Sequence, residues 1–169
     1  THAACLQMSD ALAALASQPQ PLPQACTDDL AAEFAAIYLT HSYRAAPYES
    51  VWHDEENLMM QAPTFEVRAF YDRHDFQVAN WRHMPDDHIS HQLRFTAFLL
   101  QQGDEREAAR FLKTHLMTWL PRFAQQVGER AQTRFYAALA ALTLACVEAC
   151  LAQLPKVAVI PTVRAQQEA

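Results

Sequence analysis

The chain has 169 residues, enough for one domain with a sizeable core, and we predict a single domain over residues 1–169. Only two residues are glycine, which disfavours β-hairpin turns and glycine-rich phosphate loops, whereas abundant alanine and leucine favour helix. The net charge of −6 disfavours nucleic acid as a partner, because nucleic-acid binding needs a basic surface. These features predict an all-α helical bundle.

The N-terminal third of the chain predicts two helices separated by a stiff connector. Apolar residues recur at three- and four-residue spacing over residues 2–17, which is typical of an amphipathic helix. Three prolines then predict a connector over residues 18–26. Thr27, followed by two aspartates, has the chemistry of an N-cap for the next helix. The main bundle is predicted over residues 27–154 and a tail over residues 155–169.

Two irregular stretches flank a short central helix. Residues 43–53 contain Pro47 and lack helical periodicity, so they are predicted to form an aromatic loop. Asp54, followed by two glutamates, predicts the start of a short helix, and Pro63 the first turn of another. Residues 75–84 again lack a helical pattern.

The next stretch predicts two helices with clear boundary signals. Pro85 and the two aspartates after it suit a first helical turn, and the apolar pattern continues to Gln102. Gly103 then occupies the position of a C′ glycine. A capping-box pattern opens a further helix at Asp104, which is predicted to end near Pro121.

A last long helix is predicted from about Arg130 to Leu154, and it is almost wholly apolar. It is long enough to span a bilayer, but Glu148 lies within it, and a helix that is hydrophobic all round is normally the buried centre of a bundle. We therefore predict no stable membrane insertion. Cys146 and Cys150 are predicted to fill the core as reduced thiols.

The other cysteines and the N-terminus bear on the cellular compartment. The four cysteines include no C-x-x-C pair, and a chain of this size does not need a disulfide scaffold, so a cytosolic protein with reduced thiols is favoured. No signal-peptide pattern opens the sequence. The sequence begins at Thr1 rather than at methionine, and we expect that an N-terminal segment precedes it in the full-length protein.

Two carboxylates and two imidazoles lie within six residues, at Asp86, Asp87, His88 and His91. One hypothesis is an acid–base or metal-dependent hydrolase that uses Asp87, His88 and His91. The alternative is a capped helix start or a recognition surface. No H-E-x-x-H, C-x-x-C or G-x-S-x-G motif is present, so neither a metal nor a catalytic residue is predicted.

Aromatic side chains crowd the predicted loop, with Tyr43, Tyr48, Trp52 and His53 close together in sequence. One interpretation is a loop that packs its aromatics into the core. The other is a peptide-binding pocket, since flat aromatics offer contact area at low entropy cost.

Two segments resemble motifs of one known family. Ala46–Trp52, with the sequence Ala-Pro-Tyr-Glu-Ser-Val-Trp, resembles the P-[YW]-x-S-V-[YW] loop of the TorD/DmsD redox-enzyme maturation chaperones. Met84–Ile89, with the sequence Met-Pro-Asp-Asp-His-Ile, resembles their E-P-[DE]-D-H helix start, although Met84 stands where an acidic residue is common. The Leu30–Tyr38 segment also fits, so the resemblance extends over roughly residues 28–150.

The resemblance implies an all-α, cytoplasmic and non-enzymatic protein. Members bind the twin-arginine signal peptide of a molybdopterin oxidoreductase and hold the apoenzyme until its cofactor is inserted, which delays export. The family includes domain-swapped dimers, so either a monomer or a swapped homodimer is expected. Guanine nucleotide has been linked to some members, but this chain has no P-loop, and no cofactor is predicted. The signal-peptide-binding residues implied by the matching positions are Ile37, Pro47, Tyr48, Ser50, Trp52, Pro85, Asp87 and His88.

These implications lead to one geometric hypothesis. A twin-arginine signal offers two cations followed by an apolar stretch, so its site should combine carboxylates with aromatic and apolar side chains. We predict that the loop at 46–53 and the helix start at 85–88 meet in space and form one groove. The carboxylates of residues 54–56 and 86–87 are predicted to contribute its charge.

Overall fold

The fold is all-α, as predicted from the sequence. The structure, a computed structural model, describes residues 1–40, 44–79 and 81–158. Within these residues no β-strand is present, and the β-type pairing consists of one isolated antiparallel bridge between Tyr48 and His88. The α-helices are α1 (His2–Ala16), α2 (Gln24–Phe34), α3 (Glu49–His53), α4 (Ala62–Asp72), α5 (Ile89–Gln101), α6 (Glu105–Phe111), α7 (Met117–Arg130) and α8 (Arg134–Gln153).

Two π-helical turns extend these helices without a break. The turn Ala35–Leu39 continues α2, and the turn Leu112–Leu116 joins α6 to α7. Each shifts the helical register, so the face that a helix presents changes at the turn. Neither turn was predicted, because the sequence carries no simple signal for them.

Three predicted boundaries near the N-terminal half are wrong. Helix α2 begins at Gln24 with Pro23 as its N-cap, because proline suits the residue before a helix as well as its first turn, so Thr27 lies inside the helix. The predicted aromatic loop contains α3. No helix follows Asp54, whose carboxylate instead accepts a hydrogen bond from the Leu58 N–H at 2.8 Å in a turn.

The long helix around Pro121 does not end there, contrary to the prediction. Pro121 lies inside α7, and the π-helical turn Leu112–Leu116 immediately precedes that helix. An internal proline costs helix stability because it removes a hydrogen bond. Trp119, Leu120 and Phe123, on either side of it, are almost completely buried, so tertiary packing outweighs that cost.

The sequence predicted that helix α8 is the buried centre of the bundle, and this prediction is wrong. The helix packs against α1 and α7, and its buried residues are three alanines and Val147. Its length and mean hydropathy of 1.9 would suffice to cross a membrane, and 22% of that window is buried in the fold. Cys146 is exposed and Cys150 half-buried, so Cys146 is not a core filler. Helix α7, with its aromatic side chains, takes the central place instead.

Two hydrophobic clusters make up the core of the described residues. The first gathers Ile37 and the buried side chains of α7 and α8 around Trp119 and Phe123. The second is aromatic and brings α4, α5 and α6 together through Phe70, Phe95 and Phe111, with ring centroids 4.8–5.9 Å apart. The segments that resemble the family motifs lie between these clusters. The division into a single domain stays a prediction, and residues 159–169 of the predicted tail lie outside the described residues.

Candidate functional site

The two motif segments meet, as predicted. The Ile89 N–H donates to the carbonyl of Pro47 at 2.9 Å, and the Glu49 N–H donates to the carbonyl of Asp87 at 3.2 Å. These bonds form the antiparallel bridge between Tyr48 and His88, whose ring centroids are 5.0 Å apart in an edge-to-face arrangement. The loop at 46–53 and the segment at 85–88 are therefore paired backbone to backbone.

Asp87 caps a helix that is not its own. The predicted helix start at Pro85 is wrong, because α5 begins at Ile89, and Pro85 to Asp87 form the turn before it. The Asp87 Oδ2 atom instead accepts from the Ser50 N–H at 2.8 Å, in the first turn of α3. Asp87 and Ser50 are both fully buried, so this is a charge-assisted helix cap in a dry environment.

His88 is the N-cap of α5. Its Nδ1 atom accepts from the Ser90 N–H at 3.2 Å and lies 2.6 Å from the Ser90 hydroxyl. A side chain that accepts in this way satisfies one of the free donors at a helix start. The neighbouring Asp86 carboxylate pairs with the Arg68 Nε at 2.6 Å, and its carbonyl accepts from the Tyr71 hydroxyl at 3.0 Å.

A buried polar network connects the Tyr48–His88 bridge to the core, and it was not predicted from the sequence. The Glu49 carboxylate is fully buried and accepts from the Gln92 Nε2 at 2.7 Å. The His115 Nδ1 lies 3.2 Å from both of its oxygens, and the Trp119 Nε1 donates to Gln92 at 3.3 Å. These contacts tie α3 to α5, to the π-helical turn and to α7. Its partners are 27 to 66 residues apart in the chain, which is why no local pattern reveals it.

Trp52 fixes the other end of the loop. Its Nε1 donates to the carbonyl of Ala46 at 2.8 Å, and its ring packs edge-on against Phe123 at 6.5 Å. The Arg122 guanidinium lies 5.5 Å from the Trp52 ring centroid and donates to its carbonyl at 2.9 Å. Trp52 is half-buried and Pro47 is buried. Trp52 thus packs inward, as the first interpretation of the aromatic loop expects, whereas Tyr48 faces a pocket whose role as a peptide site stays a prediction. Tyr43 of the same loop lies outside the described residues.

A pocket of about 450 Å³ opens beside the bridge. Tyr48 and His88 form part of its wall, and the remaining lining is mainly apolar or aromatic, with His83, Ser90 and Thr143 as its other polar residues. Burial, with a smaller contribution from the Asp87 charge, raises the pKa of Tyr48, so its hydroxyl is protonated at neutral pH. The pocket is lined by Phe34, Tyr38, Leu39, Tyr48, His83, Met84, His88, Ile89, Ser90, Leu93, Phe123, Leu139, Ala140 and Thr143.

The structure separates the predicted site residues into two groups. Tyr48 and His88 line the pocket, whereas Pro47, Ser50 and Asp87 join the two segments through hydrogen bonds. Trp52 and Pro85 make hydrogen bonds within their own segments, to the Ala46 carbonyl and from the His88 N–H. Ile37 is fully buried in the first core cluster.

The aromatic pair Phe34 and Tyr38, which does line the pocket, was not singled out from the sequence. The four-residue spacing of this pair could have identified it, because two aromatics four residues apart on a helix share a face. Their ring centroids are 5.1 Å apart.

The predicted carboxylates do not line this pocket. Asp86 and Asp87 are buried and bonded to Arg68 and to the Ser50 N–H, and residues 54–56 lie in a turn beyond α3. Their distribution therefore differs from the single charged groove that the sequence suggested, because both buried aspartates serve the fold.

Asp87, His88 and His91 are held in structural contacts rather than around a reaction centre. Burial, followed by the charge of Arg94, lowers the pKa of His91. In the part of the chain that the structure describes, no three His, Cys, Asp or Glu side chains are grouped as a metal site.

Comparisons with known proteins match most of the chain to one family. The family model of the nitrate reductase delta subunit matches residues 2–125. A TorD chaperone from Shewanella pealeana is 31% identical over 128 residues, which cover 71% of this chain and 58% of that protein. A TorD chaperone from Vibrio cholerae is 30% identical over 132 residues, covering 71% of this chain and 60% of that protein.

A further relative carries a different name within the same group. The Tat proofreading chaperone DmsD from Salmonella typhi is 34% identical over 102 residues, covering 59% of this chain and 50% of that protein. The chain thus spans between half and three fifths of the length of these relatives. The match covers both motif segments and the pocket wall from Phe34 to Phe123. The chain therefore belongs to the nitrate reductase delta subunit family, the family of the TorD and DmsD chaperones.

Proposed function

We propose that this protein is a cytoplasmic chaperone, not an enzyme, that binds the twin-arginine signal peptide of a molybdopterin oxidoreductase apoenzyme. By holding that apoenzyme it would assist cofactor insertion and delay export until maturation is complete. The names of the relatives support the chaperone role, and DmsD is named for proofreading in the Tat pathway.

The observation that carries the proposal is the pairing of Tyr48 with His88. It places one side chain from each motif in the wall of the same pocket of about 450 Å³. A pocket with mainly apolar walls and a few polar groups is the usual form of a binding site. Two or three apolar side chains of a signal peptide would fit there.

The charge distribution around the pocket supports a position for each of the two parts of the signal peptide. No carboxylate of the described residues lines the pocket, so the apolar stretch of the signal occupies it and the arginines lie outside. Tyr48 and His88 form part of the pocket wall that this apolar stretch would contact. Pro47, Ser50, Trp52, Pro85 and Asp87 act by holding that wall in place.

Isothermal titration calorimetry with synthetic signal peptides tests the proposal. A panel of leaders from trimethylamine-oxide, dimethyl-sulfoxide and related reductases would be titrated into the protein. We expect one leader to bind, and Tyr48→Ala and His88→Ala each to weaken binding about tenfold or more, as expected for central contacts. Replacing leucines in the apolar stretch of the peptide by serine should have a similar effect.

The matched control is Leu6→Ala, which removes an exposed apolar side chain on α1 that does not line the pocket. It should leave the affinity unchanged, and circular dichroism should show that each variant is folded. If none of the leaders binds, or if Tyr48→Ala binds like the unmodified protein, the proposal is wrong. Whether the protein is a monomer or a swapped homodimer stays a prediction, which sedimentation would decide.

A further inference from the structure

A second surface is formed by large apolar side chains that project into solvent between α3 and α5. Leu58, Met59, Met60, Phe65 and Trp81 are each 39–51% exposed, and they are half of the large hydrophobic residues that are exposed among the described residues. We call them the methionine–aromatic surface. None of them lines the peptide pocket, so the two surfaces can be tested separately. An exposed apolar cluster of this kind is typical of an interaction site.

The backbone holds this surface in an outward conformation. Asn57 and Met60 have positive φ angles of 57° and 59°, which are costly for a side chain such as methionine. Phe65 lies in the first turn of α4, directly after this strained turn. The Arg68 guanidinium then bridges the aromatics, 5.5 Å from the Phe65 centroid and 4.6 Å from the Trp81 centroid.

The stretch of sequence that carries this surface accounts for most of the net charge of the chain. Residues 54–87 contain eight carboxylates and three arginines, which leaves −5 of the chain's net −6. Asp86 and Asp87 are buried and bonded, but the other six carboxylates in this stretch are exposed or partly exposed. A partner of opposite charge is therefore attracted to it, and one of like charge is repelled.

A hollow beside Trp81 offers an anchor point for a cation. Its volume is about 350 Å³, and its walls include Asp72, the ion pair of Arg68 with Asp86, and the aromatic residues Tyr71, Phe76 and Trp81. A carboxylate among aromatic faces suits a lysine or arginine side chain. Because Asp86 in the same wall is already paired with Arg68, Asp72 is the carboxylate left for a ligand.

We propose that the methionine–aromatic surface docks a basic amphipathic segment of a partner protein. The apolar face of that segment packs on Met59, Met60 and Phe65, and a cationic side chain enters the hollow at Asp72. Methionine side chains adapt to varied apolar partners, so the surface selects amphipathic character and positive charge rather than one sequence. A second copy of this acidic face, or an anionic membrane, would be repelled.

Fluorescence anisotropy with a defined probe tests the docking site. The probe is a fluorescein-labelled peptide of leucine and lysine, about 14 residues long, which forms a basic amphipathic helix of four turns. We expect saturable binding that weakens as salt is raised, because exposed charges are screened. The double variant Met59→Ser/Phe65→Ser and the single variant Asp72→Asn should each raise the Kd about tenfold.

Two matched controls make the result specific. Leu6→Ser/Leu12→Ser removes two apolar side chains that are 50–51% exposed on α1, and it should leave the Kd for the probe unchanged. Tyr48→Ala should also leave the Kd for the probe unchanged. Conversely, Met59→Ser/Phe65→Ser should leave the Kd for a signal peptide unchanged. A failure here is thereby distinguished from a failure of the pocket.

Three results would overturn the docking site. The first is an equal loss of probe binding in the α1 control, which would indicate nonspecific attraction to an acidic protein. The second is loss of probe binding in Tyr48→Ala. The third is a concentration-dependent dimer in sedimentation that Met59→Ser/Phe65→Ser abolishes, because the surface would then bind a second copy.

Discussion

Asp87 shows how a motif residue can be recognised correctly and still be given the wrong local role. Its position after a proline suggested that it caps the helix that follows it. In the fold it accepts from the Ser50 N–H of α3, 37 residues earlier in the chain, while His88 caps α5. The spacing within Pro85–His88 is therefore explained by two caps made side by side for two helices.

Replacing Asp87 should destabilise the protein through α3. We expect Asp87→Ala to lower the free energy of unfolding by about 1–2 kcal/mol, because it leaves a buried N–H without its acceptor. Asp87→Asn, which keeps an oxygen acceptor, should cost less. Urea denaturation followed by circular dichroism measures both, with Asp10→Ala on the exposed face of α1 as the control. An equal loss for the asparagine and alanine variants would contradict the capping role.

His91 makes stability dependent on pH in the acidic range. Its pKa in the folded state is lowered from the ordinary value of 6.5, mainly by burial. Below about pH 6.5 the unfolded chain therefore takes up a proton that the folded protein resists, and stability falls as pH decreases towards the folded pKa. Above that pH the histidine is neutral in both states, and this contribution is constant.

The variant His91→Gln should remove this part of the acid sensitivity. As the pH falls from 8 to 5, we expect the free energy of unfolding of the variant to rise relative to that of the unmodified protein, since glutamine does not titrate. Urea denaturation at a series of pH values gives the difference directly. A difference that stays the same across this range would show that His91 is not the group responsible.

At the scale of elements, the sequence predicted those helices whose own residues determine them. Helices α1 and α4 and the C-terminal boundary of α5 at Gly103, which has a φ of 76°, were found from periodicity and from cap residues. Helix α3 was missed, because its five residues include a valine and a tryptophan and its cap comes from Asp87. Local patterns cannot reveal a helix whose stabilising contacts lie in a distant segment.

The two residues just before helix α8 are also held by an acceptor from a distant segment. The N-cap residue of α8, Thr133, makes no side-chain cap of its own. The buried Glu33 carboxylate of α2 accepts from the N–H groups of Gln132 and Thr133 and from the Thr133 hydroxyl. A carboxylate at this end also suits the positive end of the helix dipole. Two segments 99 to 100 residues apart are joined in this way.

The variant Glu33→Ala should therefore loosen the start of α8. We expect a loss of about 1–2 kcal/mol in the free energy of unfolding and faster amide hydrogen exchange in the first turn of that helix. Glu33→Gln should lose less, because an amide oxygen still accepts. Exchange followed by mass spectrometry would reveal the effect, and unchanged protection in the first turn of α8 would contradict it.

At the scale of the whole molecule, the candidate site is coupled to the core by polar contacts. The bridge between Tyr48 and His88 rests on Glu49 and Gln92, and these reach His115 and Trp119 in the centre of the bundle. The pocket could be predicted as the meeting of two motifs, because both segments carry recognisable residues. The network beneath it could not, since a buried glutamate and histidine acquire meaning only when tertiary structure brings them together.

The substitution Glu49→Ala should damage the fold as a whole and not only the loop. Removing the buried carboxylate leaves the Gln92 Nε2 with only its longer contact to the Asp87 carbonyl at 3.4 Å, and it takes away the oxygens 3.2 Å from the His115 Nδ1, so we expect a loss of about 3–5 kcal/mol. Glu49→Gln should cost only about 1–2 kcal/mol, because its amide oxygen still accepts from Gln92. Urea denaturation at pH 7 measures the free energy of unfolding of both variants. At low temperature, where the alanine variant is still partly folded, calorimetry should show that it binds the signal peptide more weakly at Tyr48. A loss below about 1 kcal/mol for Glu49→Ala would mean that the network does not hold the motif segments on the core.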